Sequence, residues 1–520
     1  MRAQEVLGSL RNRHRRQTTG LVLSGGGARS DFQIGALRYL YDRVGITPQV
    51  IVGTSAGSIL ASVLAQSEDP DEQRRSLATL ERLWGEMRTS SDMFTPYEWF
   101  DRLRRRGPEW MAVLQKRQQR QNPLGRTFAR AATTSTAPRA QGTTRPAGPR
   151  PAAGPFAPGG PLDPAVVRDR LRTMAANRPW PPAREDHGET GGTVGVVEFL
   201  AALREVGRAR PDLELILRGA EREKAMYRPG PLVERLVEPE VFDAARVASS
   251  GVTLRIAVVA LESGELRYVT EDGHLVDRAN RPLGGAAVDL VDAVRASCAI
   301  PAVFRPVPLG EETYVDGGVR ETLPAEIATD HLRVDRCYAV VASPPGVPYE
   351  DGYAEKDMLS VVLRATAGIM ADEGLRDEVE KARRDGAVVI APELNLHDLL
   401  TVDPGLTAIS MDYGYLRAAE AVRGATTAQA QLTRDVIRLR RQIWQLEESL
   451  LAELATPAEP GAPVSSAPSQ PDLSDLAVLK RRLRDLVEHL PADRRPPEAG
   501  RWWLTFERHA FDVAVTPGWT

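Results

Sequence analysis

The segment VIVGTSAGSILASVL, residues 50–64, holds an apolar run, a glycine-flanked serine and a second apolar stretch at helical spacing. Val50-Ile51-Val52 is typical of a short buried strand, and Ile59 to Leu64 is typical of a helix. Between them, Gly53-Thr54-Ser55-Ala56-Gly57 has the form G-x-S-x-G. This form is common by chance, but after a strand and before a helix it predicts a nucleophile elbow. Its turn is strained, so the residues two positions before and after Ser55 must be very small.

A similar order of elements precedes this segment. Leu21-Val22-Leu23 predicts a buried strand that runs into Gly25-Gly26-Gly27, and Asp31 to Val44 has the spacing of a helix. Strand, loop, helix, strand, turn and helix in this order predict a parallel sheet with helices on its faces. The N–H groups of the glycine loop suit an oxyanion or, equally, a phosphate at a helix N-terminus. Arg29 would add a positive charge or anchor the loop.

A third candidate follows the short apolar strand Tyr314-Val315, where the chain reads Asp316-Gly317-Gly318. A carboxylate at the end of a strand could take the proton of Ser55 as a general base. An Asp-Gly pair is also a common turn, and for the dipeptide alone that reading is favoured. The histidines lack metal-binding spacing. His331 and His397 follow Asp316, so a Ser, Asp, His order stays open.

Composition excludes several classes of protein. The 520 residues contain 67 Lys and Arg against 70 Asp and Glu, a net charge of −3, which argues against a whole-chain nucleic-acid binder. The two cysteines, Cys298 and Cys337, exclude a disulfide framework and a Cys-rich zinc site. No apolar run is long enough to predict a membrane-spanning helix. The basic leader, residues 1–18, lacks the apolar core of a signal peptide.

The chain divides into three predicted regions. Residues 1–18 form the leader, 19–424 the main domain, and 425–520 a helical C-terminal region with a Pro-rich linker at about 457–471. An insertion at about 90–228 interrupts the main domain. Within it, 133–164 is rich in Pro, Ala and Gly and is predicted to be disordered. The insertion separates Ser55 from Asp316 in the chain, which suggests a lid or targeting element.

Taken together, these motifs resemble the patatin-like phospholipase family. The stretches that carry the resemblance are Gly25 to Arg29, Gly35-Ala36-Leu37, Gly53 to Gly57, the hairpin Leu254 to Leu266, Ala296 to Pro306, Asp316 to Gly318 and Leu323-Pro324-Ala325. They lie within Thr19–Gln66 and Pro229–Val422. The resemblance implies a three-layer α/β/α core with a mostly parallel sheet.

The resemblance also implies the site. Ser55 would be the nucleophile and Asp316 its general base, in a Ser-Asp dyad without metal or cofactor. Gly25, Gly26 and Gly27 with Arg29 would form the oxyanion hole, and Gly53 and Gly57 would shape the elbow. The reaction would pass through an acyl-enzyme that water releases. One departure is Ser30, where the family's loop commonly has Gly; we expect Ser30 to cap the next helix instead.

The expected substrate is a lipid acyl ester at a membrane or micelle surface, handled by a cytoplasmic protein with or without peripheral membrane association. Candidate membrane contacts are residues 101–106 with Trp99, Phe100 and Trp110, and the Trp-rich tail 501–520; a solvated helix face and a docked terminal segment are the alternatives. No nucleic-acid partner is expected, and the oligomeric state is open.

One alternative function is a catalytically weak binding or scaffold protein. A nucleotide-binding domain ranks last, because the second strand is followed by Gly53-Thr54-Ser55 rather than an acidic ribose partner.

Overall fold

A computed structural model describes residues 17–105, 215, 218–219, 222–347, 349, 352–353, 361, 364–455 and 474–504. Most of the leader, most of the insertion and the linker at 457–471 lie outside the described residues. The segment predicted to be disordered, 133–164, lies outside them as well.

The described core is built on one nine-stranded sheet. Its strands are β1 (Thr19–Leu23), β2 (Val50–Thr54), β5 (Thr253–Ala260), β6 (Leu266–Thr270), β7 (Leu275–Asp277), β8 (Val307–Leu309), β9 (Glu312–Asp316), β10 (Arg336–Val340) and β11 (Val388–Ile390). The order is β11-β10-β1-β2-β5-β6-β7, and β9 pairs with β5 and β8. In this spatial order, the neighbouring strands β11, β10, β1, β2 and β5 are parallel to one another. Strands β6, β7, β8 and β9 are each antiparallel to the strands that they pair with.

The α-helices of the described residues are numbered in chain order. They are α1 (Ser30–Tyr39), α2 (Ala56–Leu64), α3 (Pro70–Glu86), α4 (Pro231–Leu236), α5 (Ala244–Ser249), α6 (Leu290–Ser297), α7 (Ala371–Arg384), α8 (Pro404–Arg423), α9 (Thr427–Ala455) and α10 (Ser474–Glu488). Residues 98–105 form a further helical stretch. Strands β3 (Phe94–Pro96) and β4 (Tyr227–Pro229) pair as a separate ribbon near the two ends of the predicted insertion.

Two apolar cores lie on opposite faces of the sheet. Successive strand side chains point to opposite faces, and Leu21 and Leu23 join one core while Val22 joins the other. The first core contains side chains of α1, α2 and α8; the second contains Leu375 of α7. The predicted three-layer α/β/α architecture with a mostly parallel sheet is confirmed.

The position of β9 brings its last residue, Asp316, close to the end of β2, which precedes Ser55. Strand β5 pairs with β2 through Thr253 to Ala257 and with β9 through Val258 to Ala260. Because β6 pairs along the overlapping stretch Arg255 to Val259, it occupies the other edge of β5. Strands β2 and β9 therefore share one edge of β5 and meet end to end from opposite directions. Such a meeting depends on pairing between distant segments, which the local pattern of each strand does not reveal.

The helix after the glycine loop differs from expectation in two details. Its α-helical part ends at Tyr39, and the turn Leu40–Val44 is a π-helix. The expected cap at Ser30 is wrong. A 3₁₀ turn over Gly27–Arg29 runs directly into α1, so Ser30 already has helical φ and ψ, and its hydroxyl makes no hydrogen bond among the described residues.

The C-terminal helices pack on the main domain. Arg440 of α9 makes a buried ion pair of 2.7 Å with Asp412 of α8. Lys480 of α10 makes a 2.7 Å ion pair with Glu447 of α9, and both side chains are fully buried. The apolar seam of α9, including Val436 and Ile443, joins the same core as α1 and α8.

Candidate active site

Ser55 stands at the junction of β2 and α2. Its backbone has φ 53° and ψ −132°, in the left-handed half of conformational space, where a residue with a side chain is strained. The residue is 6% exposed. This is the geometry of a nucleophile elbow, in which a sharp turn presents the serine hydroxyl at the end of a sheet.

The two elbow glycines stand where side chains do not fit. A Cβ on Gly53 would lie 2.5 Å from the Gly57 carbonyl oxygen. A Cβ on Gly57 would lie 2.5 Å from the carbonyl oxygens of Leu23 and Ser24. Gly57 thus allows α2 to start directly against the end of β1, and Gly53 allows the turn to close on that helix.

Asp316 ends β9 and is buried, with 4% of its surface exposed. It pairs with Val258, one position beyond Ala257, which pairs with Thr54. The residue after Thr54 is Ser55, so sheet register places the serine and the carboxylate beside each other. The Gly318 N–H donates to Asp316 Oδ1 at 2.8 Å and fixes one carboxylate oxygen.

The Ser55 hydroxyl lies near the Asp316 carboxylate. The hydroxyl is close enough to lower the pKa of Asp316, and Asp316 Oδ2 is buried without a hydrogen bond to a described residue. Burial raises the pKa of Asp316 from 3.8 to about 6, against smaller lowering by the Ser55 hydroxyl and the Gly318 N–H. The carboxylate is therefore mostly ionised at neutral pH and more basic than an exposed one.

Two further serines hold the elbow backbone. Ser297, fully buried at the end of α6, accepts the Ser55 N–H at 3.0 Å. The Ser58 hydroxyl donates to the Ser55 carbonyl at 2.6 Å. Sequence reasoning gave neither residue a role, although Ser297 lies within the stretch Ala296 to Pro306 that carried part of the resemblance.

The glycine loop lies against the nucleophile. A Cβ on Gly25 would be 3.3 Å from Ser55 Cβ, but the Gly25 N–H is already donated to the Thr322 carbonyl at 3.0 Å. The N–H groups of Gly26, Gly27 and Ala56 donate to no acceptor among the described residues. Of the amides near the elbow, that of Gly25 is therefore engaged within the described part of the chain, and these three are not.

Comparison with family models identifies this architecture. The model described as patatin-like phospholipase matches residues 21–329, which include Ser55, Asp316 and the glycine loop. The chain belongs to the patatin-like phospholipase family. The family resemblance inferred from the sequence is confirmed, and membership supports a lipid hydrolase in general.

Solved structures also match the patatin-like chain. VipD from Legionella pneumophila is 15% identical, with 96% of this chain and 93% of that chain covered and a TM-score of 0.27. The ExoU–SpcU complex from the type III secretion system of Pseudomonas aeruginosa is 16% identical, with 96% and 71% covered and a TM-score of 0.19. No curated protein sequence gives a significant match.

Arg29 in this patatin-like loop is an anchor for the loop. Its guanidinium donates to the His397 carbonyl at 3.0 Å and to the Ser343 hydroxyl at 3.1 Å. Burial lowers its pKa, against smaller raising by Asp398 and Asp31. The described contacts thus join Arg29 to the segments after β10 and before α8, rather than to Ser55.

The two histidines that followed Asp316 in the chain belong to other contacts. His397 Nε2 lies 2.8 Å from Asp31 Oδ2, and the Ser410 hydroxyl donates to the other oxygen of the same carboxylate at 2.7 Å. His331 lies 4.0 Å from Glu326. Neither histidine has a described contact with Ser55 or Asp316.

The described part of the chain also bears on ligand and membrane binding. Within it, no group of three or more His, Cys, Asp or Glu side chains could hold a metal ion, and no helix is long and apolar enough to cross a bilayer. In the first candidate membrane surface, Trp99 is buried and donates to the Ala225 carbonyl, and the half-buried Phe100 packs edge-on against Tyr227. In the tail, Trp502 is buried beneath the Arg440 guanidinium, 3.9 Å from its ring centre. Trp110 and residues 505–520 lie outside the described residues.

Proposed function

We propose that this protein is a serine acyl hydrolase of phospholipase A type, with Ser55 as nucleophile and Asp316 as general base. The observation that supports this most strongly is the end-to-end meeting of β2 and β9. It places a serine on a strained elbow beside a buried carboxylate of raised pKa. A perturbed pKa beside a nucleophile is the combination expected of a catalytic pair.

In the proposed reaction, the Ser55 oxygen attacks the ester carbonyl carbon while its proton passes to Asp316. The N–H groups of Gly26, Gly27 and Ala56 stabilise the negative charge that develops on the carbonyl oxygen. The carbon–oxygen bond to the leaving alcohol then breaks, and Asp316 returns its proton to that alcohol. Water next attacks the acyl carbonyl carbon while one of its protons passes to Asp316. The bond from that carbon to the Ser55 oxygen then breaks, Asp316 returns the proton to Ser55, and the fatty acid is released.

The proposed substrate is an acyl ester of a phospholipid or related lipid. Such substrates are held in membranes or micelles, so the proposal includes contact with a lipid surface by a cytoplasmic protein. Of the described aromatic residues on the two surfaces first considered for this role, Trp99 and Trp502 are buried, whereas Phe100 and Trp503 are half-buried. The burial of Trp99 and Trp502 argues against those two side chains as membrane anchors.

Replacement of the nucleophile tests the proposal. We expect wild-type protein to react covalently with a fluorophosphonate probe, and Ser55→Ala to lose that labelling completely because no other oxygen takes the place of Ser55 Oγ. Ser62→Ala on the same helix α2 is the matched control, since the Ser62 hydroxyl has no hydrogen-bond partner among the described residues. Gel fluorescence and intact-mass spectrometry measure the adduct. Persistent labelling of Ser55→Ala would contradict the assignment. A folded wild type that stays unlabelled, with and without lipid vesicles, would favour the binding or scaffold function.

The pKa of Asp316 sets the pH dependence. The carboxyl must be ionised to accept the serine proton, so we expect the labelling rate to be constant above pH 7 and to fall with a midpoint near pH 6, where the pKa of Asp316 lies. Below that midpoint the rate should decrease about tenfold per pH unit. Labelling reactions quenched at fixed times between about pH 4.5 and 8 measure the labelling rate as a function of pH. Circular dichroism checks that the protein is folded at each pH. A midpoint near 4 would show that burial does not raise the pKa of this carboxyl.

A further inference from the structure

The short loop that follows Asp316 contacts every part of the proposed site. The Glu321 carbonyl accepts the Thr54 hydroxyl at 3.2 Å, and Thr54 precedes the nucleophile. The Thr322 carbonyl accepts the Gly25 N–H at 3.0 Å, in the glycine loop. The position of residues 321 and 322 therefore fixes the distances between base, nucleophile and glycine loop.

This loop is held from the other side by a helix of the second core. Glu378 lies on α7, and its Oε2 accepts the Thr322 N–H at 3.1 Å and the Leu323 N–H at 2.7 Å. Its Oε1 lies 3.2 Å from the same Thr322 nitrogen. The carboxyl is largely buried, and its pKa is raised to about 8, mainly by burial and to a smaller extent by Glu321, against lowering by the Leu323 and Thr322 N–H groups and by Arg278.

We propose that Glu378 is a positioning residue for the Ser55–Asp316 dyad. Thr322 is the link, because its N–H is held by Glu378 while its carbonyl holds Gly25. Glu378 acts through the backbone and has no described contact with Ser55 or Asp316. It lies outside residues 21–329, the part of the chain that matches the family model. The proposal rests on the proposed function, since it concerns the accuracy of that dyad.

The contacts of Glu378 indicate which substitutions distinguish a loss of its hydrogen bonds to the loop from a general loss of protein stability. A single oxygen, Oε2, accepts both N–H groups. Glu378→Gln keeps an oxygen that can accept both, whereas Glu378→Met keeps the length and volume of the side chain but has no comparable acceptor. Both variants are uncharged, so a difference between them reports the hydrogen bonds and not the charge. Glu380→Met, at an exposed position on the same helix, is the matched control.

The test measures fluorophosphonate labelling and hydrolysis of a short-chain ester by the full chain. Misplacement of a catalytic group by about 1 Å costs on the order of 100-fold in rate. We therefore expect Glu378→Met to lower kcat and the labelling rate by about 10- to 100-fold with little change in KM. Glu378→Gln should stay within about threefold of wild type, and Glu380→Met should equal wild type.

Three results would overturn the proposal. These are a Met variant with wild-type kcat, a Gln variant as slow as the Met variant, or a loss that appears in KM alone. If Glu378→Met does not fold, Glu378→Asp replaces it, because its shorter carboxylate does not reach the two N–H groups from the same backbone position, and the same loss of kcat is expected.

A failure of the proposed function is distinguishable from a failure of this inference. If wild type neither labels nor hydrolyses ester, hydrogen exchange measured by mass spectrometry still tests whether the Glu378 hydrogen bonds to Thr322 and Leu323 hold the backbone of the site in place. Faster exchange of residues 53–58 and 316–325 in Glu378→Met, but not in Glu378→Gln, supports positioning by Glu378. Unchanged exchange in the Met variant overturns it.

Discussion

Asp316→Asn is expected to remove activity and at the same time to make the protein more stable at neutral pH. The amide cannot accept the serine proton, and general-base catalysis of this kind contributes about 100- to 10,000-fold in rate. We expect fluorophosphonate labelling and ester hydrolysis to fall by at least that factor. An asparagine oxygen still accepts the Gly318 N–H that now reaches Oδ1, so the loop keeps its contact.

The gain in stability follows from the raised pKa of Asp316. The folded state binds this proton more tightly than the unfolded chain, whose carboxyl titrates near 3.8. The contribution of Asp316 to the free energy of unfolding is thus greatest below pH 3.8, and it is lost as the pH rises to about 6. A shift of this size corresponds to about 3 kcal/mol. Asp316→Asn should recover up to about that amount at pH 7.5 and gain little at pH 4.

Urea unfolding at pH 4 and pH 7.5 measures this difference. Asp377→Asn, at an exposed position on α7, is the control and should change neither activity nor the free energy of unfolding measurably. If Asp316→Asn lowered stability at pH 7.5, the carboxylate would be a net stabilising group and its pKa could not be raised. If the variant kept wild-type activity, another group would be the base.

Both members of the proposed dyad destabilise the fold. Ser55 holds a positive φ without being glycine, and Asp316 is ionised in a buried position. Such features persist only where the surrounding structure enforces them, and they concentrate at functional sites. Here the enforcing contacts are the Ser297 hydroxyl on the Ser55 N–H and the Thr322 peptide between Gly25 and Glu378.

The parts of the fold that could be predicted are those with a local signal. Apolar runs at residues 21–23, 50–52 and 254–261 predicted strands, and β1, β2 and β5 lie there. The elbow and the Asp-Gly-Gly turn were identified because each needs particular small residues next to a strand. The positions of these strands and turns could be predicted because the spacing of apolar residues and the placement of glycines are properties of neighbouring residues alone.

The contacts that refine the site could not be predicted, because their partners are distant in the chain. The Gly25 N–H is engaged by Thr322, and Arg29 binds the His397 carbonyl. Nothing near residues 25–29 distinguishes a free amide from an engaged one, or a catalytic arginine from an anchor. Glu378 likewise lies in an amphipathic helix where a glutamate has no distinguishing pattern.

A second large effect is expected at Gly35, in the Gly35-Ala36-Leu37 stretch of α1. Helices α1 and α8 cross with their backbones in contact. A Cβ on Gly35 would lie 1.7 Å from the Met411 carbonyl oxygen, and a Cβ on Gly414 would lie 1.9 Å from the Phe32 carbonyl oxygen. Both obstacles are backbone atoms, so no rotamer change relieves the overlap.

Gly35→Ala must therefore push the two helices apart, although their aromatic neighbours are buried on both sides of the crossing. The Phe32 and Tyr413 rings lie 5.5 Å apart, and the Tyr39 and Tyr415 rings 5.1 Å apart. Overpacking of a core costs about 1–3 kcal/mol where side chains can adjust and more where they cannot. We expect Gly35→Ala to lose more than about 3 kcal/mol, with insoluble protein or a strongly lowered Tm.

The matched control is Gly374→Ala on α7, where an added Cβ has no atom within 4 Å. Because alanine favours a helix over glycine by about 1 kcal/mol, this control should leave stability unchanged or slightly raised. Thermal unfolding followed by circular dichroism compares the two. Since α1 starts directly after the glycine loop, a partly folded Gly35→Ala should also label more slowly than its folded fraction predicts. Equal Tm values for the two variants would mean that α1 and α8 do not cross at backbone contact, and that Gly35 is not required for their packing.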